Sequence, residues 1–124
     1  MNVVDSSGWL EFFTDGPNAG VFAPVIQRTA ELAVPTISLY EVFKKVLQER
    51  GESEALVAVA LMQQGTVIDL DAPLALSAAK IAADAKLPMA DAIMLATARA
   101  LDATFWTQGA DFAEIEGVRY VPAH

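Results

Sequence analysis

The sequence contains no cysteine, and its single histidine is the last residue, His124. The first absence removes disulfides, thiolate nucleophiles and zinc-thiolate centres together. The second makes histidine-based acid-base chemistry a poor fit. Charged residues are scarce too, at 19% against 54% hydrophobic, so part of the apolar surface is expected to serve as an interface. Long apolar runs are missing. The longest, Ala55 to Met62, falls far short of the roughly 20 residues that cross a bilayer, so no membrane span is expected. The N-terminal Met-Asn-Val-Val-Asp has no basic region ahead of an apolar stretch and no small-residue cleavage site, which gives a cytoplasmic expectation. Catalysis, if present, must rest on carboxylates, hydroxyls or lysine. The net charge of −8 argues against a broad basic surface for nucleic acid. A cation-binding carboxylate cluster would itself contribute to that charge.

What is present is an alternation. A length of 124 residues suits one domain, 1–124, with no linker, repeat or low-complexity segment to divide it. Short β-rich runs at Asn2–Val4, Val34–Ser38, Thr66–Leu70, Ala103–Thr107 and Val118–Val121 are separated by helical patterns. The helices are expected over Ser7–Thr14, Ala19–Ala33, Ser38–Arg50, Ser53–Gln64, Asp71–Lys86 and Ala90–Leu101, with a short turn at Ala110–Ile115. Gly51 and Gly65 mark helix stops, and Asp71 with Pro73 behind it marks a start. Such alternation implies an α/β fold built on a parallel sheet.

In an open parallel sheet, ligands sit beyond the carboxyl ends of the strands. Asp5 follows the first strand directly, Glu41 follows the second, Asp111 lies just past the fourth, and Asp91 opens the helix leading into that fourth strand. Each has a purely structural reading. Asp5 with Ser6 and Ser7 suits a helix cap. Ser38-Leu39-Tyr40-Glu41 matches a capping box. Asp91 and Asp111 suit first-turn acids facing a helix dipole. A shared site explains all four at once. Carboxylates gathered at one edge raise one another's pKa unless a cation compensates. Hard divalent ions such as Mg²⁺ and Mn²⁺ prefer these oxygen ligands, and they activate water for phosphodiester hydrolysis without His or Cys.

Four blocks carry a family resemblance: Asn2-Val3-Val4-Asp5-Ser6-Ser7, Ser38-Leu39-Tyr40-Glu41-Val42, Leu87-Pro88-Met89-Ala90-Asp91-Ala92, and Phe105-Trp106-Thr107-Gln108-Gly109-Ala110-Asp111-Phe112. In this order and spacing, over essentially the whole chain, the sequence resembles a PIN domain, most nearly the VapC-type ribonuclease toxins of type II toxin-antitoxin systems. The resemblance implies a three-layer α/β/α domain with a parallel sheet of about five strands. It also implies cleavage of RNA with Mg²⁺ or Mn²⁺. Asp5 and Asp91 would then be the main metal ligands, with Glu41 acting directly or through water, and the hydroxyls of Ser6 and Thr107 would support the acids. Where the family commonly has Thr-x-Asp/Asn-x-Asp-Phe, this chain has Gly109 in the earlier slot and keeps only Asp111. Asp111 is then either a fourth ligand or the cap of a short helix beside three acids that hold one metal. The resemblance further implies a homodimer and a cognate antitoxin lying in a groove, for which Ala55–Met62 suits a wall; its alternative is a fully buried helix. Lys44 and Lys45, just after Glu41, are candidate RNA contacts, although pairing or solvent exposure accounts for at least one of them. Two competing readings are a noncatalytic binding module of the same fold and a phosphoacceptor receiver domain. The latter wants an acidic pair after strand one and a Lys after the last strand, whereas here one acid follows strand one and Arg119 lies in the last.

Overall fold

A computed structural model describes residues 1–124. The strands are β1 (Asn2–Val4), β2 (Ala33–Pro35), β3 (Thr66–Ile68), β4 (Thr104–Thr107) and β5 (Val118–Tyr120). The helices are α1 (Ser6–Phe13), α2 (Ala19–Gln27), α3 (Thr36–Arg50), α4 (Glu52–Met62), α5 (Ala72–Ala85) and α6 (Met89–Ala100), with 3₁₀ turns at Thr29–Glu31 and Ala110–Phe112. All strand pairs are parallel: β1 pairs β4, β4 pairs β5, and β2 pairs β3. A single bridge, Asn2 to Leu32, joins the two ladders. The expected five-stranded parallel α/β sheet is therefore present in the order β3-β2-β1-β4-β5, as ladders of two and three strands meeting at one bridge.

The alternation of side chains along β1 sends Val3 and Val4, both fully buried, to opposite faces. Val3 and Phe105 pack with Ala92–Ala96 of α6 and with Ala78 of α5. Val4 and Val34 pack with Trp9, Phe22, Val42, Ala55 and Met62 from α1 to α4. These two cores make the three layers. Burying side chains of this size contributes about 1.5–3 kcal/mol each. The β1–α1 junction is also tight: a Cβ on Gly8 would stand 2.6 Å from Val4 Cγ1 and 2.9 Å from Phe22. No helix is long and apolar enough to cross a membrane.

Several local expectations are corrected. The second helix does not reach Ala33 but stops at Gln27. Pro24 sits inside it, weakening helix propagation, and Leu32, Ala33 and Val34 are almost wholly buried, the latter two paired with Thr66 and Val67. Ladder pairing and burial prevail over helical propensity there. Likewise α3 begins at Thr36 behind Pro35, whose extended backbone (φ −62, ψ 140) forms the cap without a side-chain bond. Ser38 therefore lies inside the first turn, fully buried with its hydroxyl unpartnered, and the Ser38–Glu41 capping box does not form. The Ala55–Met62 run forms most of α4, but it is not fully buried: Ala55, Ala58 and Met62 point inward while Leu56 and Val57 are 52% and 68% exposed. As expected, Asp71 caps α5, accepting from the Leu74 amide at 2.9 Å.

Candidate active site

Asp5 stands where β1 turns into α1, and its own amide donates to the Trp106 carbonyl of β4 at 3.0 Å. That bond fixes the residue at the carboxyl edge of two adjacent strands. The side chain is 3% exposed. Oδ1 accepts from the Gly8 amide (3.0 Å) and from Ser7 Oγ (2.6 Å), while Oδ2 accepts from Thr107 Oγ1 (2.5 Å). Burial pushes the Asp5 pKa above the ordinary carboxylate value; the hydrogen bonds from Ser7, Thr107 and Gly8 oppose this, and the Glu41 charge adds to it. Asp5 is thus both helix cap and member of an acidic group.

Glu41, released from any capping box, lies in the second turn of α3 and accepts from Ser6 Oγ at 2.7 Å. The same hydroxyl lies 3.6 Å from Met94 Sδ on α6, but the carboxylate is the stronger acceptor for its one proton. Ser6 thereby ties α1 to α3 at the sheet edge. Asp91 sits in the first turn of α6 with its pKa raised to about 6, by burial first and then by the charges of Asp5, Glu41 and Asp111. The start of α6 therefore stands within electrostatic reach of the other acids. Asp111, in the 3₁₀ turn after β4, is exposed and makes no side-chain hydrogen bond. No three of the acids stand at the spacing of ligands to one ion. They form a charged group within mutual electrostatic reach.

The supporting hydroxyls are placed distinctly. Thr107 Oγ1 donates to Asp5 and accepts from the Gly109 amide at 2.9 Å. Ser7 was not singled out as a site residue, yet its hydroxyl donates to Asp5 and accepts from the Gln108 amide at 3.1 Å. The signal was present in the Asp-Ser-Ser triplet. Asn18 was missed as well: buried, it donates to Gln108 Oε1 and the Pro122 carbonyl, both at 3.0 Å, anchoring the loop after β4. No local pattern links Asn18 to residues about ninety and a hundred positions away. A Cβ on Gly109 would lie 3.8 Å from Asp5 Oδ2, so the residue occupies the rim of the acidic group without adding a charge. Lys45 pairs with Glu49 at 3.0 Å, and Lys44 lies over the Tyr40 ring at 5.9 Å. Neither lysine forms an ion pair with the four acids.

The sheet order β3-β2-β1-β4-β5 separates the chain from receiver domains, in which the second strand is at the edge. In structural comparison, the chain is similar to a protein of a toxin-antitoxin complex from Klebsiella pneumoniae, at 23% identity and TM-score 0.77, covering 95% of each chain. It is similar also to VapC20 from Mycobacterium tuberculosis, described as a sarcin-ricin-loop-cleaving toxin, at 17% identity and TM-score 0.78, covering 98% of this chain and 100% of that one. A third similarity is to VapBC2 from Rickettsia felis bound to a promoter DNA fragment, at 13% identity and TM-score 0.74, covering 98% and 97%. No match is found among curated proteins. These likenesses establish the fold. The profile of the PIN domain family matches residues 3–118, a span that contains Asp5, Glu41, Asp91 and Asp111, and the chain belongs to the PIN domain family.

Proposed function

We propose that this protein is a divalent-metal-dependent ribonuclease, the toxin of a toxin-antitoxin pair acting in the cytoplasm. The observation that carries the reading is the acidic group at the carboxyl edge of β1 and β4, with Asp5 and Glu41 held by hydroxyls and Asp91 within electrostatic reach of both, its pKa raised by burial and then by their charges. The donor set fits Mg²⁺ or Mn²⁺. It is made of carboxylate oxygens, and a hard cation would offset both the burial that chiefly lifts the Asp91 pKa and the like charge that adds to it. Asp5 and Asp91 would hold the ion and Glu41 would reach it directly or through one of its waters, as Mg²⁺ keeps several waters and no three acids stand at direct ligand spacing; Asp111 is available from the 3₁₀ turn as a further acid. When bound, the ion supplies a more acidic water and charge neutralisation at the phosphodiester. The chain's own residues orient the acids. Ser7, Thr107 and the Gly8 amide fix both Asp5 oxygens, and Ser6 holds Glu41 toward α1.

A groove of about 290 Å³ between α1, α3 and α4, lined by Leu10, Phe13, Val46, Val57 and Ala58, suits an apolar segment of a cognate antitoxin. The paired Arg50 and Glu54 give it a charged rim. A homodimer is part of the same reading, as is a phosphate contact by Lys44, the neighbour of the engaged Lys45. A noncatalytic module of the same fold is the competing reading, favoured by Gly109 and by the exposure of Asp111.

The deciding experiment incubates antitoxin-free protein, its Asp5→Asn variant and its Asp91→Asn variant with structured RNA in Mn²⁺, Mg²⁺ or EDTA. Cleavage is expected only in metal and only with the parent. Persistence in EDTA or in both variants overturns the metal-nuclease reading, and a parent inert toward every RNA favours the binding module.

A further inference from the structure

We propose that Trp106, Arg28 and Arg119 form a nucleotide-binding ledge on the α2 side of the sheet, taking the base and phosphate of single-stranded RNA next to the segment being cut. A pocket of about 280 Å³ opens there between α2 and β1, lined by Asn2, Val21, Pro24, Val25, Arg28 and Trp106. The Arg119 guanidinium lies 5.6 Å over the Trp106 ring from the neighbouring strand, where the two residues are register partners. The ring's only polar atom is already engaged, Trp106 Nε1 donating to Asn2 Oδ1 at 3.0 Å. That bond holds the half-buried ring in one orientation.

The charge pattern points to an anion with a flat partner. The chain has eight Lys and Arg against sixteen Asp and Glu, and the ion pairs engage Lys45, Arg50 and Lys80, all along α3, α4 and α5. Arg28 and Arg119 are both exposed and, like Lys44, Lys86 and Arg99, form no ion pair, and it is these two that flank the Trp106 ring. Stacked guanidinium and indole planes recognise bases without regard to sequence, and a free arginine beside them recognises phosphate. An apolar peptide would have no use for two unpaired cations.

The placement suits a flanking nucleotide. The Trp106 carbonyl accepts the Asp5 amide, and the pocket reaches back to Asn2, three residues from Asp5, which is about 10 Å along a strand. This inference rests on RNA being the substrate, so its test keeps the two apart.

Binding of a short single-stranded oligoribonucleotide carrying a terminal fluorophore is followed in EDTA by anisotropy, with tryptophan emission as a second readout in the parent, where Trp9 is wholly buried and only Trp106 is within reach of a ligand. The parent should be quenched. Arg28→Gln and Arg119→Gln should each make the slope of log affinity against log salt less negative by about 0.7, and Trp106→Leu should weaken binding roughly tenfold. An abasic oligomer should bind as weakly to the parent as the intact one does to Trp106→Leu. In Mn²⁺ the arginine variants should raise KM and spare kcat, with unchanged melting temperature. An unaltered affinity in the double arginine variant overturns the ledge, as does equal binding of abasic oligomer or of an acidic peptide. Arginine-dependent binding without cleavage by the parent sinks the ribonuclease reading and leaves the ledge standing. Cleavage with KM indifferent to both arginines does the reverse.

Discussion

Replacing Asp91 by Asn should stabilise the metal-free protein at neutral pH, although it deletes a residue proposed to be essential. In the fold the Asp91 carboxyl is moved from 3.8 to about 6, which at 1.36 kcal/mol per pH unit is about 3 kcal/mol against the ionised form. The side chain is only half buried, so solvent screening reduces this by about half. The α6 N-terminus favours a negative charge by about 0.3–1 kcal/mol, and the net gain on substitution is therefore about 1 kcal/mol. The sign follows from the raised folded value. Between about pH 4 and 6 the folded state holds more protons than the unfolded state, so the parent loses stability as pH rises through that window. Below it the carboxyl is protonated in both states and the advantage of Asn vanishes. Urea unfolding in EDTA from pH 4 to 8 measures this directly, a gain of about 1 kcal/mol appearing as a few degrees in the melting temperature. Excess Mn²⁺ at a hundred times its Kd should stabilise the parent by about 2.7 kcal/mol and the variant much less. A variant less stable than the parent at pH 7.5, or a difference that does not shrink toward pH 4, would refute the electrostatic account of the site.

Three further outcomes follow from single contacts. Thr107→Val removes the donor to Asp5 Oδ2, and Mn²⁺ affinity measured by calorimetry should fall by about 10- to 100-fold, as when outer hydrogen bonds to metal ligands are lost. Gly8→Ala places a methyl 2.6 Å from Val4 Cγ1 and should cost about 1–3 kcal/mol in chemical denaturation, since neither strand nor helix can retreat. Val57→Asp, at a groove position 68% exposed, should leave melting and RNA cleavage unchanged while abolishing capture by the antitoxin in a pull-down; unchanged capture would move the docking surface elsewhere.

The parallel α/β layout was legible because its signals are local. Val3-Val4 before Asp5, Asp71 ahead of Pro73, and Gly51 at φ 92 each act within a turn of chain. The errors lie where tertiary contact outweighs local preference. Leu32 to Val34 reads as the tail of a helix until the pairing of Ala33 and Val34 with β3 is known. Ser38 has the chemistry of a cap, but Pro35 already supplies the extended residue that starts α3, leaving the serine buried one turn early. At the site, the Asp5-Ser6-Ser7 triplet marks the acid and its hydroxyls but not their partners, since Ser7 supports Asp5 and Ser6 supports Glu41. The tie between Ser6 and Glu41, and that between Asn18 and Gln108, cross 35 and 90 residues and leave no periodic trace.

The structural explanations of the acids make predictions of their own, and these can be compared with what is observed. A capping Asp needs one oxygen. Asp5 spends Oδ1 on the Gly8 amide, yet Oδ2 is held as well, by a hydroxyl from β4 about a hundred residues on. A capping-box Glu41 would face the start of its own helix, but it accepts instead from Ser6 of α1. An acid that merely complements the α6 dipole would have its pKa lowered by the helix N-terminus. Asp91 is displaced the other way, to about 6, by burial and by three carboxylates from three different elements. A fold selected for stability alone would not retain that opposition, because any one neutral substitution relieves it. Such an unfavourable group persists where a ligand repays it, and the proposed metal reading predicts that Mn²⁺ brings the Asp91 pKa back toward the ordinary carboxylate value, whereas a purely structural origin predicts no change.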